Sequence, residues 1–324
     1  MVNLSNQETE RPKDSLIVST IKIMRPVHWV KNISIFAAIF LTGLLTDQLL
    51  LTKVIWGFVA FCLITSATYI INDIFDAKSD KLHPRKKFRP IASGALPVPF
   101  AVIEAIILIL SAFIASSLGH LDSLFSTILI IYLILQFFYS LVLKNVAILD
   151  IIIIAAGFVL RVYAGAFIIN AHLSVWFLLC VISVALFLAS GKRRAELNIV
   201  QNTEAITRKS LRTYKKDLLN SYVTMFANAS WMSWSLFTFF ESPRASIPFW
   251  LVLAELSKTT AIGKLLMFTI PVTILGIMRY ESLIFEGKSE SPEKLLLTDK
   301  MLITVVLVWV FLVYWVLYGG VTSY

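Results

Sequence analysis

Charge is what this chain lacks most. Asp, Glu, Lys and Arg make up 15% of its 324 residues, where a soluble domain carries about 25%. Cysteine is almost missing too. Cys62 and Cys180 both lie in apolar runs, and their spacing suits neither a disulfide framework nor a metal site, so both are expected to be packing residues. Residues 1–20 hold no short apolar stretch ending in a small-residue cleavage site, so no cleavable signal is expected. No internal repeat is visible, and the polar N-terminal tail, 1–18, is expected to be disordered.

Apolar side chains are in excess. The chain is 58% hydrophobic with a mean hydropathy of +0.80. Apolar segments near twenty residues long, bounded by polar clusters, have the length a bilayer demands of a helix. Nine spans are expected, at about 32–47, 53–72, 98–118, 122–142, 148–169, 173–190, 220–240, 262–279 and 300–319. The predicted class is therefore an all-α polytopic membrane protein, with one transmembrane domain over 19–324. The stretch 247–257 is too short to cross and is expected to be interfacial or re-entrant.

Positive charge is retained in the cytoplasm, which orients the chain in the plasma (inner) membrane. With the N-terminus cytoplasmic, 24 basic residues fall inside and four, Lys53, Arg244, Lys258 and Lys264, fall outside. Arg161 lies within a span. The net charge of +9 is then topological, and no nucleic-acid partner is expected. Membrane lipids are the expected surroundings, and a homo-oligomer is compatible with the sequence.

Acidic residues are few, and their placement is informative. After the second apolar run the chain reads Asn72, Asp73, Asp76 and Asp80, with the carboxylates three and four residues apart. That spacing puts all three on one face of a continuing helix. Stacked carboxylates repel unless a cation sits among them, and magnesium takes oxygen ligands while sharing them with substrate phosphates. Asn72, Asp73, Asp76 and Asp80 are thus the candidate metal set, with Asp73 and Asp76 the candidate catalytic pair. The basic run that follows includes Lys86 and Arg89, suited to neutralising the outer oxygens of a diphosphate. His83 fits equally as a donor to that group or as a plain loop histidine.

An N-D-x-x-D-x-x-x-D motif followed by Arg-Pro-Ile-Ala-Ser-Gly at 89–94 resembles the UbiA superfamily of intramembrane prenyltransferases. The resemblance implies a bundle of about nine spans around a central cavity open to the cytoplasm and laterally to lipid. It also implies diphosphate binding through magnesium. Where that superfamily carries a second acidic motif, this chain reads Gly191-Lys192-Arg193-Arg194-Ala195-Glu196. Three adjacent cations serve metal chelation poorly and a phosphate monoester well.

Over roughly residues 20–318 the chain is similar to one branch, the decaprenyl-phosphate phosphoribosyltransferases. The resemblance is carried by Arg25-Pro26, Trp29, Lys31-Asn32, His83-Pro84, Phe88-Arg89-Pro90, Tyr139-Ser140, Lys144, Asp150, Gly157-Phe158, Leu160-Arg161, Gly165, Leu211-Arg212, Tyr214 and Arg279-Tyr280. It implies transfer of 5-phosphoribose from phosphoribosyl pyrophosphate to a polyprenyl (decaprenyl-like) phosphate, for arabinan precursors of the cell envelope. On that reading Asn72, Asp80, Lys86, Arg89, Lys144 and Asp150 bind the donor. Lys31, Arg161, Lys192, Arg193 and Arg194 bind the lipid phosphate.

Plainer readings stand beside these. Lys31 either reaches a phosphate or snorkels at the interface. Asp150 serves magnesium, ribose hydroxyls or a helix N-terminus. Arg161 lies three helical turns deeper on the same face as Asp150 and either lines the cavity or pairs with Glu104. Two rival functions remain: a prenyltransferase with a prenyl diphosphate donor and an aromatic or quinone acceptor, and a non-enzymatic lipid-binding or transport protein.

Overall fold

The computed structural model describes residues 15–82, 86–201, 209–241, 260–286 and 292–319, and among these it is helical with no strand. A short helix α1 (Leu16–Met24) and a 3-10 stretch, Pro26–Phe36, lead into α2 (Ala37–Leu41). Then come α3 (Gln48–Asp80), α4 (Val98–Leu118), α5 (Ser123–Leu141), α6 (Leu149–Ile168) and α7 (Val175–Gln201). They are followed by α8 (Lys209–Thr213), α9 (Lys216–Phe240), a second 3-10 stretch (Thr260–Thr269), α10 (Ile270–Phe285), α11 (Pro292–Thr298) and α12 (Lys300–Tyr318). His83, Arg85, Arg244, Lys258 and the stretch 247–257 lie outside the described residues.

Seven helical segments among the described residues are long and apolar enough to cross a membrane: α3 to α7, Leu265–Phe285 and α12. The bounds of α4, α5, α6 and α12 follow the apolar runs closely, as at α4, where the expected 98–118 is also the observed helix, whereas α3 and α7 run on well past theirs, to Asp80 and Gln201. α9 has the length, but Asn220, Ser221, Asn228, Ser230 and Ser233 make it more polar.

The run expected to span at 32–47 is not one continuous α-helix. It is broken into the 3-10 stretch, the five residues of α2 and a turn. Two breaks explain this. Arg25 takes a left-handed φ of 54° immediately before Pro26, and Gly43 at φ 79° ends α2. Helix α1 begins inside the stretch read as a tail, where the Ser15 hydroxyl accepts from the Val18 N–H at 3.3 Å and caps it.

Burial sorts the helices into inner and outer positions. Of its most apolar stretch, α3 buries 61% and α6 56%, whereas α4, α5 and α12 bury 28% and turn the rest outward. Lipid tails are as apolar as leucine, so close packing rather than water exclusion holds such helices together. One core joins α3 to α6 with the first 3-10 stretch, through Ile35, Phe61, Phe125, Leu129 and Ala164. A second joins α2, α7, α9 and α12, through Leu41, Phe177, Trp234 and Val313. Gly165 of α6 makes one contact possible. The Ile35 carbonyl sits directly on this residue, and any Cβ there would overlap it. That close approach lays the Pro26–Phe36 stretch over α6, one turn from Arg161.

Candidate active site

The acidic residues occupy the end of α3, which stays helical through Asp80 as the three-and-four spacing requires. Going back along the same face, the stripe continues through Tyr69 to Thr65. Each carboxylate meets a cation from elsewhere in the chain. Asp73, buried at 2% exposure, accepts from Arg25 at 2.5 Å and Arg89 at 3.0 Å. Arg89 also reaches Asp80 at 2.6 Å. Asp76 accepts from Lys144 at 2.5 Å, and the Asn72 amide donates to Asp76 at 3.0 Å. Lys86 is half-buried and close enough to act on the Asp80 charge. Thus Asn72, Asp73, Asp76, Asp80, Lys86, Arg89 and Lys144 come together as expected.

Arg25 was absent from the expected site, though it belongs to the quoted Arg-Pro pair. Its left-handed backbone aims the guanidinium at Asp73, and its Cζ lies 5.2 Å from the centre of the Tyr69 ring. Such stacking favours the cation.

At the inner end of the stripe, on α6, lies Arg161, 4% exposed, linked to Thr65 through Asn32, which donates to the Thr65 hydroxyl at 3.2 Å. Among the described residues its partners are neutral: Asn32 at 2.7 Å, the Gly157 carbonyl at 2.7 Å and the Tyr132 hydroxyl at 2.8 Å. It does not pair with Glu104, which sits on α4 with one carboxylate oxygen buried and unpartnered. A guanidinium held by dipoles alone inside a membrane bundle carries a charge that no carboxylate among the described residues balances. Half-buried Lys31 is close enough for its charge to act on the same Tyr132. On the other side of Arg161, 5.5 Å from its Cζ, is the Phe158 ring, which lines a cavity of 550 Å³. Phe40, Phe158, Val162, Phe177, Trp234 and Trp309 wall that cavity, which is apolar almost throughout.

The basic run on α7 behaves differently from expectation. Successive helical residues point about 100° apart, so Lys192, Arg193 and Arg194 do not form one cradle. Lys192 is half-buried. Arg194 hydrogen-bonds Asn220 at 2.5 Å and lies over the Phe285 ring at 5.7 Å. Arg193 is fully buried. Its Nε sits 2.5 Å from Asp150, a close ion pair angled poorly for a hydrogen bond, while its other nitrogens donate to Glu196 at 2.5 Å and Tyr139 at 2.9 Å. The three cations expected to hold a lipid phosphate are thus not brought together, and both arginines are turned into protein.

Asp150, expected to bind the donor, is likewise turned into protein. It is fully buried between Arg193 and Tyr214, whose hydroxyl donates to it at 2.6 Å, with Ser210 at 3.4 Å. Burial and that hydrogen bond hold the Tyr214 hydroxyl well above the ordinary phenol range, so it remains a donor.

The donor chemistry of the α3 stripe fits a hard divalent ion, since it offers carboxylate and amide oxygens where cations already gather. Among the described residues no three metal-binding side chains converge into a cage. Such a stripe suits an ion held by one or two carboxylates and completed by substrate oxygens.

This arrangement defines a class, a polytopic membrane protein with buried clusters of charged side chains and an apolar chamber. The UbiA prenyltransferase family model matches residues 32–274, and the chain belongs to that family. It is 33% identical over 318 residues to a decaprenyl-phosphate phosphoribosyltransferase of Corynebacterium glutamicum, covering 97% of this chain and 91% of that one. It is 35% identical over 308 residues to the enzyme of the same name from Mycolicibacterium smegmatis, covering 94% of each. A UbiA homolog from Archaeoglobus fulgidus, solved bound to GPP and Mg2+, superposes with a TM-score of 0.66 at 16% identity, over 92% of this chain and 99% of that one.

Proposed function

We propose that this protein transfers 5-phosphoribose from phosphoribosyl pyrophosphate to a polyprenyl phosphate and releases diphosphate. The observation that carries the reading is the pairing of two unlike sites along one stripe of α3. At its end, Asp73, Asp76 and Asp80 stand against Arg25, Arg89 and Lys144. Deeper, Arg161 of α6 lacks a charge partner among the described residues, and the Phe158 ring 5.5 Å from its Cζ lines the 550 Å³ apolar cavity. The first suits a magnesium-bound diphosphate, the second an ionised phosphate carrying a hydrocarbon tail. The names of the relatives support the same pair of substrates.

Asn72, Asp73, Asp76 and Asp80 would hold Mg2+, which when bound neutralises diphosphate charge. Arg25, Arg89 and Lys144 exchange their carboxylate partners for diphosphate oxygens, so the positive charge is already in place as the leaving group develops its own. Arg161, with Lys31, orients the acceptor phosphate. One of its oxygens attacks the anomeric carbon as the bond to diphosphate breaks, with inversion. That phosphate is ionised at neutral pH, so no strong general base is required; orientation and electrostatics supply the catalysis. The chemistry faces the cytoplasm, and the product is a lipid-linked pentose phosphate for envelope polysaccharide.

A second reading, prenyl transfer from a prenyl diphosphate, draws on the GPP-bound neighbour. It wants a second acidic face near 191–197, where Glu196 is the sole carboxylate and is engaged by Arg193. The test is incubation of purified protein with labelled phosphoribosyl pyrophosphate, polyprenyl phosphate and Mg2+, followed by organic extraction. Label in the lipid phase is expected. Its absence, with turnover of a prenyl diphosphate instead, would replace this reading by the second.

A further inference from the structure

Lys144 sits in a short 3-10 turn, Leu143–Asn145. Residues 142–148 join α5 to α6, and within them Ile148 adopts φ 71°. A β-branched side chain makes that left-handed conformation strained, and it persists only where surrounding contacts enforce it. The contacts are specific. The Tyr214 hydroxyl accepts from the Ile148 N–H at 2.6 Å and donates to Asp150 at 2.6 Å. The Ser210 hydroxyl donates to the Lys144 carbonyl at 2.9 Å. Arg193 closes the set from α7, holding Asp150 on one side and Tyr139, at the end of α5, on the other. The network therefore grips both flanks of the turn and the backbone of Lys144 itself, while the Lys144 ammonium projects to Asp76 at 2.5 Å.

We propose that Arg193, Asp150 and Tyr214 are positioning residues that hold the Lys144 ammonium over the α3 carboxylates, and that they touch neither substrate. This rests on the donor-diphosphate reading of that site and gives the buried α7 arginine a role the phosphate-cradle reading does not. A buried ion pair contributes little net stability against its desolvation cost. Conformational specificity is the better account of why one is built beneath a strained turn.

The test is a double-mutant cycle read as binding of Mg2+ and inorganic diphosphate by the full-length protein in detergent. The reaction releases diphosphate under either donor reading, so the probe is indifferent to which donor is used. Arg193→Lys and Tyr214→Phe are each combined with Lys144→Ala. Tyr214→Phe keeps the ring and removes only the hydroxyl, so it carries the test where Arg193→Lys misfolds. Each single variant is expected to weaken diphosphate binding about tenfold and leave the KM for polyprenyl phosphate unchanged. In the Lys144→Ala background the further loss should be under about twofold, because the network acts through that lysine. Losses that multiply fully would overturn the proposal. So would a raised acceptor KM with intact diphosphate binding, which returns Arg193 to the acceptor phosphate. Wild-type protein that binds no Mg2+ diphosphate at all would instead remove the donor-site reading on which both proposals stand.

Discussion

Arg161→Gln separates a ligand from a strut, because the two roles predict opposite balances of stability and affinity. Without substrate, the guanidinium is 4% exposed and held by Asn32, the Gly157 carbonyl and Tyr132. Losing hydrogen bonds of that kind costs about 1 kcal/mol each. Removing a buried cation that no carboxylate among the described residues balances returns a comparable amount, since its desolvation is no longer borne. Glutamine also retains an amide that reaches Asn32 or Tyr132. The net change in stability should therefore stay within about 1 kcal/mol, read as a small shift in thermal unfolding of the detergent-solubilised protein. The acceptor phosphate, by contrast, loses a charge-assisted interaction of roughly 1.5–3 kcal/mol. At about 1.4 kcal/mol per decade, the KM for polyprenyl phosphate should rise roughly 10- to 150-fold. The KM for phosphoribosyl pyrophosphate should move little, because its diphosphate lies at the other end of the α3 stripe. A large fall in thermal stability with an unchanged acceptor KM would make Arg161 a structural residue and refute the reasoning.

Other expectations follow from the same geometry. Asp73→Ala and Asp76→Ala should each fold and insert, yet lower turnover by about three decades or more, as should excess chelator on the wild type; residual activity near wild type would dismiss the metal reading. In a variant lacking Cys62 and Cys180, a cysteine introduced at Ser93 should resist a membrane-impermeant thiol reagent in intact cells, and labelling from outside would reverse the proposed orientation. Gly165→Ala should destabilise the fold by about 1–3 kcal/mol, because the new methyl meets the Ile35 carbonyl; an unchanged unfolding temperature would show that the Pro26–Phe36 stretch yields at no cost.

Much of the fold was legible because the relevant quantities are local. A run of apolar residues near twenty long declares a membrane helix wherever it is placed, and the bounds of α4, α5, α6 and α12 followed the runs within a residue or two. The acidic stripe was legible for the same reason, since helical period alone puts Asp73, Asp76 and Asp80 on one face. Lys144 and Arg89 were expected beside them and are there. The broken first span was harder, because its apolar content is ample and only Arg25-Pro26 and Gly43 betray the breaks.

What the sequence by itself determined is thus the membrane class, the helices, the acidic stripe and the family likeness, all set by composition, periodicity and short motifs. Only the tertiary structure decided which charges meet. Arg25 joins Asp73 across 48 residues, and Arg193 turns from the expected phosphate cradle into the interior to hold Asp150. Arg161, expected either to line the cavity or to pair with Glu104, rests on three neutral partners. A basic residue on a membrane helix has the same sequence signature whether it faces cavity, cytoplasm or core. Its role is set by the helix packed against it, because charges in a low-dielectric interior are governed by their nearest partners, which local sequence does not specify.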